Sequence, residues 1–185
     1  MIERVLEESR HKMRKAVEAV QRDLASLRTG RARPSLVENI KVDLQGVPTP
    51  LNHLATLTAP EPRLIVIQPW DRSMIGAIDK AIMKSDLGLH PASDGRVVRL
   101  AVPQLSEERR MELVKVLHKK AEEGRVAMRN VRREAHESLR ASERNKEISE
   151  DEHKRALESL QKLTDAFISD VDRLATEKEA ELLEV

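Results

Sequence analysis

The chain has 185 residues, of which 39% are hydrophobic and 35% charged, with a formal net charge of +1 and no cysteine. Such proportions are typical of long helices whose outer faces stay in water, and so small a net charge leaves only the distribution of charge as a basis for nucleic-acid binding. The absence of cysteine excludes disulfides, thiolate metal sites and cysteine nucleophiles. A charged N-terminus and the lack of an apolar run of about 18 residues predict a soluble, cytoplasmic protein without a membrane segment.

Helix-breaking residues divide the chain into two compositions. All eight prolines lie between Pro34 and Pro103, and five of the six glycines lie between Gly30 and Gly95. Because proline and glycine interrupt helices, this distribution predicts a small domain at residues 30–104, inserted into a helical domain made of residues 1–29 and 105–185. Two stretches of chain must then connect the two domains.

The first predicted helix carries apolar or small residues every three or four positions, which places one narrow seam on one side. The seam comprises Ile2, Leu6, Ser9, Met13, Ala16, Val20, Leu24 and Leu27. Gly30 is predicted to end this helix as its C′ glycine. The surrounding basic segment and the return connection form a predicted hinge, comprising Arg28, Thr29, Gly30, Arg31, Pro34, Pro103 and Ser106.

The inserted segment changes to the pattern of a small α/β unit. Three stretches rich in β-branched residues are predicted strands: Asn39 to Leu44, Arg63 to Gln68 and Arg96 to Val102. Asp71 is the predicted cap of a short helix that ends near Gly88. Trp70, the only tryptophan, is expected to pack on this unit rather than to bind a ligand.

The second long helix is predicted from Glu107 to about Arg144, with Ser106 as its N-cap. Its apolar seam comprises Val114, Leu117, Ala121, Met128, Val131, Ala135 and Leu139. Beside the seam lies a basic row: His118, Arg125, Arg129, Arg132, His136 and Arg140. On the opposite flank lie Glu112, Glu123, Glu134 and Glu137. Charges sorted in this way favour a partner with regularly spaced negative charge, such as nucleic-acid phosphates, over the alternative of an ordinary solvated face.

Ser149 and Glu152 form a predicted capping box at the start of the third helix. The predicted seam of this helix comprises Leu157, Leu160, Leu163, Phe167, Val171 and Leu174. Three seams of similar length can close on one another as an antiparallel three-helix bundle. At about 1.5 Å per residue, the longer helices would reach roughly 50 to 60 Å, so we expect a stiff rod.

No pattern in the chain points to catalysis. The six histidines show no metal-ligand spacing, and phosphate-binding glycine motifs are absent, so we predict neither an enzyme nor a cofactor. Phe167 and Trp70 are the only aromatic residues, too few to stack on single-stranded bases. Any RNA bound should therefore be recognised by its phosphates and shape. About four arginine–phosphate contacts predict a slope of log affinity against log salt of roughly −3.

Seven sequence motifs distributed over the whole chain closely resemble the bacterial ribosome recycling factor family. They are L-R-T-G-R-A-x-P from Leu27, D-R-S-M from Asp71, K-A-I-M-x-S-D-L-G-L from Lys80, L-x-E-E-R-R from Leu105, R-V-A-x-R-N-V-R-R from Arg125, K-E-I-S-E-D from Lys146 and K-E-A-E-L from Lys178. The resemblance implies an L-shaped α+β fold, mainly α, in which a two-strand hinge joins a long three-helix bundle to a small α/β domain.

The same resemblance implies a function on the ribosome. The family's helical rod binds 23S ribosomal RNA of the large subunit, and Arg129 and Arg132 match its most important RNA-contacting arginines. We therefore expect a row of rRNA-binding residues: Arg125, Arg129, Arg132, Arg133 and Arg140. The resemblance further implies a protein that splits post-termination ribosomes with elongation factor G and GTP, cooperates with initiation factor 3, and is a monomer. The alternative is a helical scaffold or chaperone-like rod that binds an acidic protein partner.

Overall fold

The computed structural model describes residues 1–184, and the chain forms two compact units. Three long helices make up the helical unit, which comprises Met1–Arg28 and Glu107–Leu183. The small unit contains Thr29–Ser106 and combines antiparallel strands with one α-helix. The predicted fold class, mainly α with a small α/β domain, is confirmed.

The helical unit consists of α1 (Ile2–Ala25), α3 (Glu107–Arg144) and α4 (Glu150–Leu183), and each helix packs on the other two. The end of α3 contacts the start of α4, as Glu143 does His153, whereas the middle of α3 contacts the later part of α4, as Arg125 does Asp172. These two helices are therefore antiparallel. With 38 residues, α3 is about 57 Å long.

The predicted capping box begins α4. The Ser149 backbone N–H donates to Glu152 Oε1 at 3.1 Å, and the Glu152 backbone N–H donates to Ser149 Oγ at 3.1 Å. The turn before it contains Lys146 with a φ of 59°. The box therefore satisfies two N–H groups at the point where the chain re-enters a helix.

The prediction that Gly30 ends the first helix is wrong. Helix α1 ends at Ala25, and its C-cap Ser26 keeps right-handed backbone angles. The Ser26 hydroxyl donates to the carbonyl oxygen of Asp23 at 2.7 Å, so a side chain bonds to the backbone of the last turn. The helix thus ends without a left-handed glycine.

Small residues form much of the bundle core. A Cβ placed on Gly124 would overlap Val20 Cγ2, so this glycine allows α1 to lie close against α3. In α4 the predicted large residues Leu157, Leu163, Phe167 and Leu174 are only half-buried. The buried line of α4 instead comprises Ala156, Leu160, Thr164, Val171, Ala175 and Leu182. Thr164 is accommodated because its hydroxyl donates to the Leu160 carbonyl oxygen at 2.8 Å.

The small unit contains a hairpin and a four-stranded antiparallel sheet. The hairpin pairs β1 (Lys41–Leu44) with β2 (Val47–Pro50). The sheet contains β3 (Ala55–Glu61), β4 (Leu64–Pro69), β5 (Pro91–Ser93) and β6 (Val98–Ala101), in the order β3-β4-β6-β5. The three predicted strand stretches correspond to β1, β4 and β6, and β4 extends one residue past its predicted end, to Pro69.

Three strands were absent from the prediction because each contains proline. Pro48 and Pro50 lie in β2, Pro60 in β3 and Pro91 in β5. Both β3 and β5 are outer strands of their sheet, where proline is tolerated because an outward-facing N–H would have no strand to pair with. In β3 and β5, a residue that interrupts helices thus lies in an edge strand.

One helix, α2 (Ile75–Lys84), follows a short 3₁₀ turn at Arg72–Met74. Asp71 caps this segment, since its Oδ1 accepts from the Ser73 backbone N–H at 3.0 Å. The helix ends at Lys84, earlier than predicted, and the chain turns at Gly88 with a φ of 65°. The largest fully buried aliphatic side chains of this unit are Leu51, Ile65, Ile67, Ile78, Ile82 and Leu100.

Trp70 does not pack as predicted. Its side chain is 69% exposed, and the indole N–H donates to Thr56 Oγ1 at 3.2 Å. The residue comes directly after β4, and its backbone N–H bonds to the Leu54 carbonyl oxygen at 3.1 Å. The aliphatic core is closed by other residues, which leaves the indole at the surface.

Within residues 1–184, no helix has both the length and the apolar composition needed to cross a membrane.

Candidate nucleic-acid interface

The five arginines predicted to bind RNA all lie on α3. Arg125, Arg129 and Arg132 are partly buried, whereas Arg133 and Arg140 are exposed. Helical spacing places most of them along one line beside the seam. The structure therefore brings these residues together on one rigid element, but their surroundings differ along the line.

Arg125 is the most constrained of the five. Its Nε donates to Asp172 Oδ1 of α4 at 2.8 Å, and its Nη1 donates to Glu122 Oε2 at 3.1 Å. Its side chain is only 28% exposed. The hydrogen bond to Asp172 is the main cause that raises the pKa of Arg125, while burial acts against it. A phosphate would have to displace two carboxylates to reach this guanidinium, so Arg125 is the least available of the row.

Arg129 is held by a single carboxylate. Its Nη2 donates to Glu122 Oε1 at 2.6 Å. The same contact, followed by that from Arg125, lowers the pKa of Glu122. Glu122 precedes Arg125 by three residues and Arg129 by seven, which places all three side chains on adjacent turns. The sequence interpretation overlooked this acid, although the helical spacing was sufficient to reveal it.

Arg132 contacts a neutral group. Its Nη1 donates to Gln161 Oε1 at 3.4 Å, and Gln161 Nε2 donates in turn to Asp165 Oδ1 at 2.8 Å. Arg133 and Arg140 form no hydrogen bond or ion pair with any other residue in the described part of the chain. Availability for an external anion therefore increases along α3 from Arg125 towards Arg140.

Acidic residues of α4 border the N-terminal part of the basic row. Besides Asp172, Glu179 lies 3.1 Å from His118 Nε2. At the other end, His136 stacks edge-to-face on His153, with ring centroids 6.3 Å apart, and His153 Nδ1 lies 2.7 Å from Glu143 Oε2. In the chain up to Glu184, no cluster of histidine and carboxylate side chains is suited to holding a metal ion.

The predicted hinge residues lie at the boundary between the units, which falls after Arg28 and again after Ser106. Thr29 is buried and accepts from the Arg31 backbone N–H at 3.4 Å. Gly30 lies beside the return segment, since a Cβ placed on it would be 3.7 Å from the Leu105 backbone nitrogen. Pro34 begins a 3₁₀ turn, and Pro103 is exposed between β6 and α3.

Both connections are tied to the same turn of the small unit. The Ala32 N–H donates to the Pro62 carbonyl oxygen at 2.6 Å, and the Val102 N–H donates to the Arg63 carbonyl oxygen at 2.9 Å. Pro62 and Arg63 join β3 to β4. Ala32 and Val102 are thereby held to the small unit by backbone hydrogen bonds.

Comparison with known proteins finds similarity in both sequence and architecture to one family. The sequence profile described as "Ribosome recycling factor" matches residues 20–183. The ribosome-recycling factors of Moorella thermoacetica and Syntrophomonas wolfei are 59% and 54% identical to this chain, each over 185 residues and the full length of both proteins.

Solved structures of two recycling factors share the fold. A solution structure of the ribosome recycling factor superposes with a TM-score of 0.77 at 48% identity and covers 100% of this chain and 98% of its own. A second structure contains models for the T. thermophilus ribosome recycling factor and the E. coli elongation factor G bound to the E. coli post-termination complex. It has a TM-score of 0.67 at 47% identity and covers 100% of both chains. On this evidence, the chain belongs to the ribosome recycling factor family.

Proposed function

We propose that this protein splits the post-termination ribosome together with elongation factor G and GTP, with the α3 arginines bound to 23S rRNA. Family membership makes it a non-enzymatic translation factor of ribosome recycling. The related factor bound with elongation factor G to a post-termination complex supports the proposed partners. We further propose that the protein acts in the cytoplasm as a monomer and that initiation factor 3 keeps the separated subunits apart.

The observation that supports RNA binding most strongly is the group of available guanidiniums at the far end of the row. Arg133 and Arg140 have no protein partner among residues 1–184, and Arg132 has only a neutral one. They lie on a helix of 38 residues whose packing fixes their spacing. Bidentate, permanently charged side chains on a rigid element suit the phosphates of a folded RNA.

Binding to isolated large subunits at several salt concentrations tests this proposal. We expect a log–log slope of about −3 for the unmodified protein and a slope smaller in magnitude by roughly 1.5 for Arg133→Ala/Arg140→Ala, because each neutralised phosphate contributes about 0.7 to 0.9. Arg14→Ala/Arg22→Ala is the matched control, since it removes two exposed arginines from α1. Equal losses in both variants would show that only total charge matters, which contradicts a defined interface.

Subunit splitting is tested separately by light scattering of post-termination ribosomes. The scattering should fall only when this protein, elongation factor G and GTP are all present. Because the chain has no cysteine, one cysteine can be placed in each unit and the pair bridged by a cleavable cross-linker. If hinge motion is required, the bridged protein should bind ribosomes without splitting them and regain activity after cleavage. Full activity in the bridged form would reject that requirement.

A further inference from the structure

An open groove of about 840 Å³ runs between β1 and α2 within the small unit. Ile40, Lys41 and Asp43 line one side, and the α2 residues line the other. Helix α2 contributes Gly76, Ala77, Lys80, Ala81 and Lys84, and Ser85 and Asp86 follow its end. Gly76 is exposed, and beyond its own stretch of helix no atom lies within 4 Å of a Cβ built on it, so a side chain there would extend into open space.

The β1 edge beside the groove has unpaired backbone groups. Leu44 pairs with Val47 around a two-residue turn, so Leu44 and Val42 exchange hydrogen bonds with β2. The N–H and C=O groups of Lys41 and Asp43 then point away from β2. Pro50 lies opposite Lys41, and Pro48 lies opposite Asp43. Proline has no N–H, so it fits these positions, where the strands exchange no hydrogen bonds. Within residues 1–184, no other backbone group pairs with this edge.

The groove carries available positive charge. Lys41, Lys80 and Lys84 are exposed and form no hydrogen bond or ion pair with other described residues. Lys80 and Lys84 are one helical turn apart, so both ammonium groups border the same groove. Two carboxylates, Asp43 and Asp86, also line the groove, so its three lysines leave a net charge of +1. Asp43 already accepts a hydrogen bond from the Gly46 N–H at 2.7 Å. The groove therefore suits an anionic occupant.

The unpaired backbone groups of β1 favour a peptide over a nucleic acid as the anionic ligand. An extended peptide can pair its backbone with the free N–H and C=O groups of β1, which is the usual way in which strand edges bind peptides. RNA has no matching backbone, and no aromatic side chain lines the groove on which a base could stack. We propose that the groove binds an extended, acidic segment of a protein partner, which adds a strand to β1. This surface is separate from the α3 arginines, and the proposed function does not depend on it.

Titration of the isotope-labelled full-length protein with a synthetic peptide, followed by amide NMR, tests the proposal. The peptide, about six residues long, alternates valine with glutamate, so that one edge can pair with β1 while carboxylates reach the lysines. Its two controls replace glutamate with lysine or methylate alternate backbone nitrogens. We expect shifts at the Lys41 and Asp43 amides and along α2 with the first peptide, and at least about tenfold weaker binding with either control.

Two variants of the protein locate the binding site. Gly76→Leu adds a large side chain to the groove lining and replaces glycine with a good helix former, so it should weaken peptide binding at least about tenfold without lowering the melting temperature. Lys80→Glu/Lys84→Glu should weaken binding by a similar factor. Its matched control is Lys115→Glu/Lys119→Glu, which reverses two exposed lysines with the same spacing on α3 and should leave peptide binding unchanged.

Three results would overturn the proposal. The acidic peptide could fail to bind, in which case Lys41 would serve only to keep an exposed edge from pairing with other chains. It could bind equally to Gly76→Leu, which would place it elsewhere. A single-stranded RNA oligonucleotide could shift the same amides more strongly than the peptide, which would assign the groove to nucleic acid.

Discussion

The two units differ in how their cores are filled. In the helical unit, large buried side chains such as Met128 and Leu139 share the core with glycine, alanine and hydroxyl residues, as at Gly124, Ala121 and Thr164. In the small unit the buried positions are taken by branched aliphatic side chains, such as Ile67, Ile82 and others from the sheet and α2. Small residues let helix axes approach closely, whereas large ones hold a sheet and a helix about 10 Å apart.

This comparison predicts that added volume is harmful at the small-residue positions of the bundle, such as Gly124, whereas the described core residues of the small unit include no glycine. The small unit should be damaged by removal of side-chain volume, because large side chains supply its core contacts. The bundle should be damaged by added volume where helices already touch, because a packed core has no room to absorb it. The following four changes test that contrast and the turns that frame each unit.

Ile67→Ala should have the largest effect. Ile67 is fully buried on β4, between Leu57 of β3 and Val98 of β6, so the truncation leaves a cavity in the middle of the sheet. We expect the free energy of unfolding of the small unit to fall by about 3 to 4 kcal/mol. Urea titration monitored by Trp70 fluorescence measures it. Far-UV circular dichroism should show the bundle helices unfolding at an unchanged midpoint, and a shift of both signals would mean that the units unfold together.

Gly124→Ala should destabilise the bundle by about 1 to 2 kcal/mol, although alanine favours helix formation by nearly 1 kcal/mol. The added methyl group meets Val20, whose β-branched side chain has little freedom to rotate in a helix. Thermal unfolding followed by circular dichroism measures the loss. In Gly124→Ala/Val20→Ala the two changes should be less damaging together than the sum of the single effects. If the two losses of stability simply added, the methyl group at position 124 would not be clashing with Val20.

Ser149→Ala should lower the free energy of unfolding by about 1 kcal/mol, because it leaves the Glu152 N–H without its capping oxygen.

The stability of the protein should also depend on pH through Glu152, whose pKa is lowered chiefly by the Ser149 backbone N–H. A lowered pKa stabilises the fold above the ordinary value of 4.5, and that contribution is lost as the pH falls through the lowered pKa. Chemical denaturation of the native protein and Glu152→Gln should therefore give stabilities that converge in acid. A constant difference at every pH would contradict this.

Gln45→Gly should have the smallest effect and should stabilise the small unit by roughly 0.5 to 1 kcal/mol. Gln45 has a φ of 52° and Gly46 a φ of 85°, so both residues of the β1–β2 turn are left-handed. Glycine adopts this conformation without steric strain, although it also increases the entropy of the unfolded chain. Urea titration with Trp70 fluorescence measures the gain, and Gln45→Val, which should destabilise, is the control. Equal stability of all three proteins would mean that the turn is unstrained.

Local signals predicted the elements whose cause lies within a few residues. The start of α3 at Glu107 and its end at Arg144 agree with the sequence interpretation, and so does the Ser149–Glu152 capping box. The strands β2, β3 and β5 were not predicted, because a proline in an edge strand and a proline in a loop look alike until the neighbouring strand is known. Glu122 was overlooked in the basic row for a different reason, since its spacing was visible but was not used.

The sequence by itself determined the helical periods, the Ser149–Glu152 capping box and the arginine row on α3, since these depend on residues close together in the chain. Only the tertiary structure decided which arginines remain available. Asp172 and Gln161 of α4 contact arginines more than 25 residues away in sequence. Whether a carboxylate competes with an external phosphate for a guanidinium depends on the distance between them, which the fold determines. The exposure of Trp70 and of the unpaired edge of β1 was likewise decided by the tertiary structure, because it depends on whether another segment of the chain covers them.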